Sequence, residues 1–147
     1  MVIIPAICVA VEHFRKPEQA IIFLLCKWFV FWAVGVRGLT GGLMQAFNPS
    51  YTANLLQVTT DNYLIIQELG FANMAIGVLG ICSLFYQRFR KPAALCSAIF
   101  LTGAAALHIS RLSIIDLGEL MSLAGDLFVI IIAIMVFVAE NKKYGQK

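Results

Sequence analysis

Charge is what this chain has least of. Only 13% of its residues are Asp, Glu, Lys or Arg, about half the share found in soluble domains. So few charges cannot cover a water-facing surface, which excludes a soluble monomer and a disordered tail. The same scarcity, with a formal net charge of only +3, excludes a nucleic-acid partner.

Cysteine and histidine are sparse as well. Cys8, Cys26, Cys82 and Cys96 form no Cys-x-x-Cys pair. They fall towards the cytoplasmic side of the topology derived below, where disulfides are unusual, so they read as buried, inert thiols. His13 and His108 fall near opposite faces and cannot both ligate one metal or haem. His108 with Glu68 and Asp126 has no metal-ligand spacing, so no metal site is expected. Phosphate loops, dinucleotide fingerprints and nucleophile elbows are missing too.

What is abundant is apolar residues, at 61%, with a mean hydropathy of +0.86. A bilayer crossing takes about 20 mostly apolar residues. Four stretches qualify, at about 20–47, 63–86, 92–109 and 119–139. In hydrocarbon the backbone must satisfy its own hydrogen bonds, so these stretches are helices. No long alternating segments suggest a membrane barrel. The expected fold is an all-α integral membrane protein: one domain over 1–147, built as a four-transmembrane-helix bundle.

Basic residues orient the bundle. Arg15 and Lys16, then Arg88, Arg90 and Lys91, then Lys142, Lys143 and Lys147 make eight of the eleven Lys and Arg. All eight share one side if every span crosses. The opposite loops, 48–62 and 110–118, carry only Arg111. Both chain ends and the middle link are therefore expected in the cytoplasm. The apolar stretch 2–11 is too short to cross, about 15 Å as a helix, and is interrupted by Pro5. It lacks a basic flank and a cleavage site, so it is not read as a signal peptide. It reads as interfacial or partly inserted, with a short fifth crossing as the alternative. Residues 51–58 are expected as a short helix on the outer surface, with Tyr51, Leu55, Leu56 and Val58 as its apolar contacts, a possible lid over the bundle.

Burial alone does not pair helices in lipid; small residues do. Gly35, Gly38 and Gly42 share one helical face, as do Gly70, Asn73, Gly77 and Gly80. Ala98, Thr102, Ala105 and Ala106, with Gly103 nearby, are the candidates in the third span. Close packing is the expected role of these residues, and lining a ligand cavity is the alternative. Trp28 and Trp32 read as packing or interface residues, and Lys27 as an anchor snorkelling to the headgroups.

Ionisable groups at membrane depth cost roughly 2.5–3.5 kcal/mol on insertion scales, so each is a functional candidate. Counted from the outer boundary, Arg37, Gln67, Glu68, Asn73, His108 and Asp126 all fall in the outer half and come from four different spans. Facing side chains of this kind build interior sites in helix bundles. One cation beside two acids, Glu68 and Asp126, suggests a proton site or a counter-ion for a cationic ligand. A structural ion pair fixing helix register is the plain alternative.

The stretch from Gln67 to Gly80 reads Q-E-L-G-F-A-N-M-A-I-G-V-L-G. It resembles an E-x-G-F-A-N-x-x-x-G-x-x-G pattern of a family in or near the DoxX-like group of small bacterial inner-membrane proteins. Gly35-Val36-Arg37-Gly38 and Asn48-Pro49 fit the same layout, and the resemblance covers roughly residues 28–139. It implies an inner-membrane location and a link to quinone-associated redox complexes. The sequence supplies no cofactor ligand set of its own. The expected function is binding of a small amphipathic ligand, quinone- or lipid-like, in an outer-half polar pocket. A structural or assembly subunit and a quinone-linked redox subunit are the alternatives, and partners could include further copies of this chain or a membrane complex.

Overall fold

A computed structural model describes residues 2–56, 59, 62–110 and 117–144, the last three without their side chains. Among the described residues the chain is almost wholly helical and contains no strand. The elements are α1 (Ile3–Arg15), α2 (Ile21–Phe29), a π-helical segment (Val30–Val36), α3 (Arg37–Phe47), α4 (Pro49–Leu55), α5 (Leu64–Phe85), α6 (Arg90–Ser110) and α7 (Leu117–Tyr144). Among the described residues four helical runs are long and apolar enough to cross a bilayer: Ile21–Phe47, Leu64–Phe85, Gln87–Ser110 and Leu117–Asn141. This is an all-α, four-helix, multi-pass membrane bundle. Its apolar surface faces the lipid, as Phe71, Phe85, Ile99, Leu107 and Ile131 illustrate by their exposure.

The first crossing is continuous but not uniform. Its middle widens into the π-helical segment, and the Arg37 backbone N–H bonds to the carbonyl of Trp32, five residues back. Such widened turns recur at functional sites, and this one ends on Arg37. Asn48 then stops the helix. It precedes a proline, which disfavours the α conformation, and its φ of −136° and ψ of 60° leave the helical region. Pro49 opens α4, where its missing N–H costs nothing.

The α2–α3 crossing packs against α5 through glycines. A Cβ at Gly42 would lie 2.6 Å from the Gly70 carbonyl oxygen, and one at Gly77 would lie 2.5 Å from the Leu39 nitrogen. A Cβ at Gly80 would run into the Gly35 backbone. The two backbones are thus in contact along three successive steps, as the small-residue faces predicted. The third span differs from expectation. Its buried face is Ala94, Ser97, Leu101 and Ala105, while Thr102, Gly103 and Ala106 are exposed. Of the expected stripe only Ala105 is fully buried; Ala98 is half-buried, while Ser97 and Leu101 face the first crossing and α5.

The dry core occupies the middle and the basic end of the bundle, around Leu24, Phe29, Val30, Ala93, Ala94, Val129, Ile132 and Val136. The basic end is tied by polar contacts. Glu140 accepts two hydrogen bonds from Gln87 Nε2, at 2.9 and 2.8 Å, and α7 continues to Tyr144, beyond the expected stop at residue 139. Lys142, Lys143 and Lys147 contribute no described side chains, and Arg111 lies outside the described residues.

The short N-terminal segment is a helix. Pro5 does not interrupt it, because it lies in the first turn, where no intrahelical N–H bond is owed. Helix α1 folds back on α2, burying Pro5 and Val9 and leaving Ile3, Ile4, Ile7, Val11 and Phe14 exposed. Lys27 is more than a snorkelling anchor. Its Nζ lies 2.7 Å from both Glu12 carboxylate oxygens, and Trp28 Nε1 donates to Glu12 at 2.7 Å. The cysteines are free; Cys26 is buried, but Cys96 is exposed on α6 rather than buried as expected.

Candidate functional site

At the end opposite the basic cluster, α3, α4, α5, α6 and α7 enclose a cavity of about 580 Å³. That falls within the range of roughly 300–1,000 Å³ typical of small-molecule sites. One wall is polar and comes from Arg37, His108, Ser122 and Asp126. The other walls are largely apolar, from Met44, Leu55, Leu69, Phe100, Leu101 and Leu107. Helix α4 closes part of the opening through Tyr51, Thr52 and Leu55, and burial of Thr52 and Ala53 holds it on the bundle. The short helix expected over 51–58 is found at Pro49–Leu55; Val58 lies outside the described residues.

The polar wall is an ordered network. Arg37 Nη2 donates to Asp126 Oδ1 at 2.5 Å, joining α3 to α7. His108 on α6 places Nδ1 at 2.9 Å from Glu119 Oε1 and Nε2 at 3.9 Å from Asp126 Oδ2. A carboxylate can only accept, so the Glu119 contact puts the hydrogen of a neutral His108 on Nδ1. At 3.9 Å the second contact is too long for a hydrogen bond, so Nε2 is left to another partner. A second acid therefore orients the imidazole, as happens where histidine function depends on tautomer. Across the cavity Asn73 Nδ2 donates to Gln45 Oε1 at 2.7 Å, tying α5 to α3.

Of the six expected site residues, Arg37, Asn73, His108 and Asp126 line the cavity. Gln67 does not. Its Nε2 donates to the Ala46 carbonyl at 3.1 Å and is used in holding α5 on α3. Glu68 is a correction. It is exposed on the outside of the bundle, because α5 packs on α3 through its glycine face. The face opposite those glycines looks away from the interior, not into it. The second acid of the site is Glu119, whose side chain is 2% exposed. Its signal was the seven-residue spacing to Asp126, two helical turns, which puts both on one face. Gln45 had the same signal, being seven residues, two turns, from Gly38, which also lines the cavity.

Residues 1–146 match DUF6790, a family of unknown function. The chain belongs to that family. No curated protein and no solved structure matches it. Membership of DUF6790 therefore carries no reaction with it, and the chemistry has to be read from the cavity. Among the described residues no three His, Cys, Asp or Glu side chains converge closely enough to hold a metal ion.

Proposed function

We propose that this protein binds a small amphipathic ligand, quinone- or lipid-like, in the cavity roofed by α4. The observation that carries this reading is that one cavity of about 580 Å³ is lined both by hydrogen-bonding side chains, Arg37, Asn73, His108 and Asp126, and by apolar ones, Leu69, Phe100 and Leu101. Arg37 would donate to a ligand oxygen, His108 Nε2 would meet a hydroxyl or a carbonyl according to its protonation, and Asn73 would fix the head group from the far side. The apolar remainder would lie against Leu69, Phe100 and Leu101. The resemblance of residues 67–80 to the DoxX-like group adds a quinone to the candidate ligands and supports placement in a bacterial inner membrane. The basic clusters support a cytoplasmic C-terminus with the cavity on the outer side.

A second reading has its own support. The Arg37–Asp126 pair joins the first and last crossings, as a lock would in a structural or assembly subunit of a membrane complex.

Native mass spectrometry with lipid extraction separates the two. Gently purified wild type is compared with Asp126→Asn and with Gly41→Leu, since Gly41 lines the cavity and a Cβ there meets nothing within 4 Å. A stoichiometric small molecule carried by wild type and lost from folded Gly41→Leu supports the binding reading. An empty wild type that retains partner chains supports the structural one.

A further inference from the structure

We propose that a second site, at the basic end of the bundle, holds the phosphate of an anionic membrane lipid. A cleft of about 570 Å³ lies between the α1–α2 turn and the α5–α6 link, bordered by Lys16, Gln19, Phe23, Lys27, Leu84 and Arg90. It shares no lining residue with the α4-roofed cavity. It also lies where crossings begin, at Ile21 and Gln87, which is headgroup depth.

Arg90 carries the argument. Its side chain is nine-tenths buried, at 10% exposure, yet its one ion pair among the described residues is to Glu140 at 3.7 Å. That is longer than a hydrogen bond. Glu140 is already engaged by both Gln87 contacts. The Arg90 Nε–H is buried with no hydrogen-bond partner. A guanidinium has five donors in a fixed fork, and burying one of them, here the Nε–H, without a partner is costly. A phosphate is the anion that fork suits, because it accepts two parallel hydrogen bonds.

The rest of the cleft agrees with that ligand. Lys16 stands exposed at the rim and forms no ion pair among the described residues. The acid beside it, Glu12, is neutralised by Lys27 and also accepts a hydrogen bond from Trp28; Glu18 also borders the cleft but is exposed. Phe23, Leu84 and Phe85 form an apolar wall along which acyl chains can run, and Phe85 is 71% exposed. A lipid meets both halves of this surface; a free anion meets only the polar half.

The test is thermal unfolding of delipidated protein in detergent, with added phosphatidylglycerol, phosphatidylcholine or inorganic phosphate. Phosphatidylglycerol is expected to raise the melting temperature and phosphatidylcholine to leave it nearly unchanged. Arg90→Gln and Lys16→Gln should each lose a large part of that rise. Lys16 is exposed, so its variant keeps the test decisive should Arg90→Gln fail to fold. Equal stabilisation by phosphatidylcholine, or a full phosphatidylglycerol response in Lys16→Gln, would overturn the proposal. So would inorganic phosphate alone reproducing the whole rise, which would make the site one for a soluble anion.

Discussion

Arg37 donates to Asp126 at 2.5 Å, but the two ends of this bond are unequally wet: the Arg37 side chain is 29% exposed and that of Asp126 only 5%. The carboxylate therefore depends on the guanidinium more than the reverse. Removing one partner of a buried pair typically costs about 3–5 kcal/mol, because the other charge is left uncompensated. Arg37→Leu should lose stability on that scale, read as detergent-solubilised thermal or chemical unfolding. The double variant Arg37→Leu/Asp126→Leu should recover most of the loss, since replacing both charges by apolar groups is often neutral. A melting temperature unchanged in Arg37→Leu would sink the buried-pair account.

Glu68 gives the opposite expectation from Glu119, although both are single acids towards the cavity end of the bundle. Glu68 is exposed, and surface changes away from special features usually stay within about ±0.5 kcal/mol. Glu68→Gln should leave both folding and any copurified ligand unchanged. Glu119→Gln should change ligand retention, because Glu119 orients His108 through the 2.9 Å contact at Nδ1. In the neutral ring, an amide can offer its N–H₂ to Nδ1 and move the ring hydrogen to Nε2, which changes what that nitrogen offers a ligand. Lipid extraction and mass analysis of the two variants check this directly. Loss of ligand from Glu68→Gln with retention by Glu119→Gln would reverse the assignment of the second acid.

The glycines divide in the same way. Gly77 has no room: a Cβ there meets Leu39 N at 2.5 Å and Gly38 C at 2.9 Å, both backbone. Gly77→Ala must push α5 off α3, and overpacking of this kind costs about 1–3 kcal/mol. Gly103 faces open space, with nothing within 4 Å of the same position. Gly103→Ala should unfold no earlier than wild type. Parallel melting curves of the two variants read the difference, and equal losses would mean that the glycine contact between α3 and α5 is not the close one described.

The fold was legible because lipid imposes two strict rules on sequence, apolar length and internally satisfied backbone. Those rules mark Ile21–Phe47 as plainly as they mark Leu117–Asn141. The site was legible in depth but not in direction. Depth follows from counting residues from a span's end, which put Arg37, Asn73, His108 and Asp126 at one level. Direction depends on which face meets which neighbour. Glu68 and Asn73 are both polar residues of α5, yet only Asn73 is turned inward, because the Gly70–Gly77 face sets the rotation of that helix. Glu119 was concealed by its position at a span's edge, where an acid ordinarily reads as a boundary. Nothing in the local pattern marks the widening between Val30 and Val36 that precedes Arg37.

The docking of α1 should depend on pH through Glu12. Burial alone would raise its carboxyl pKa, but hydrogen bonds from Lys27 and Trp28, and the charges of Lys27 and Lys16, outweigh burial and hold it below the ordinary 4.5. A depressed carboxyl stabilises the folded arrangement above its unfolded value and loses that contribution as pH falls through the folded one. The α1–α2 contact should therefore be constant from neutrality down to about pH 5 and weaken progressively below the ordinary carboxyl range. Trp28 reports on it, since its indole N–H donates to the same carboxylate at 2.7 Å. In a Trp32→Phe background, acid titration of tryptophan fluorescence should show a transition below pH 4.5. Glu12→Gln should abolish that transition and give the acid-form spectrum at pH 7. A transition that persists unchanged in Glu12→Gln would assign the acid response to another carboxyl.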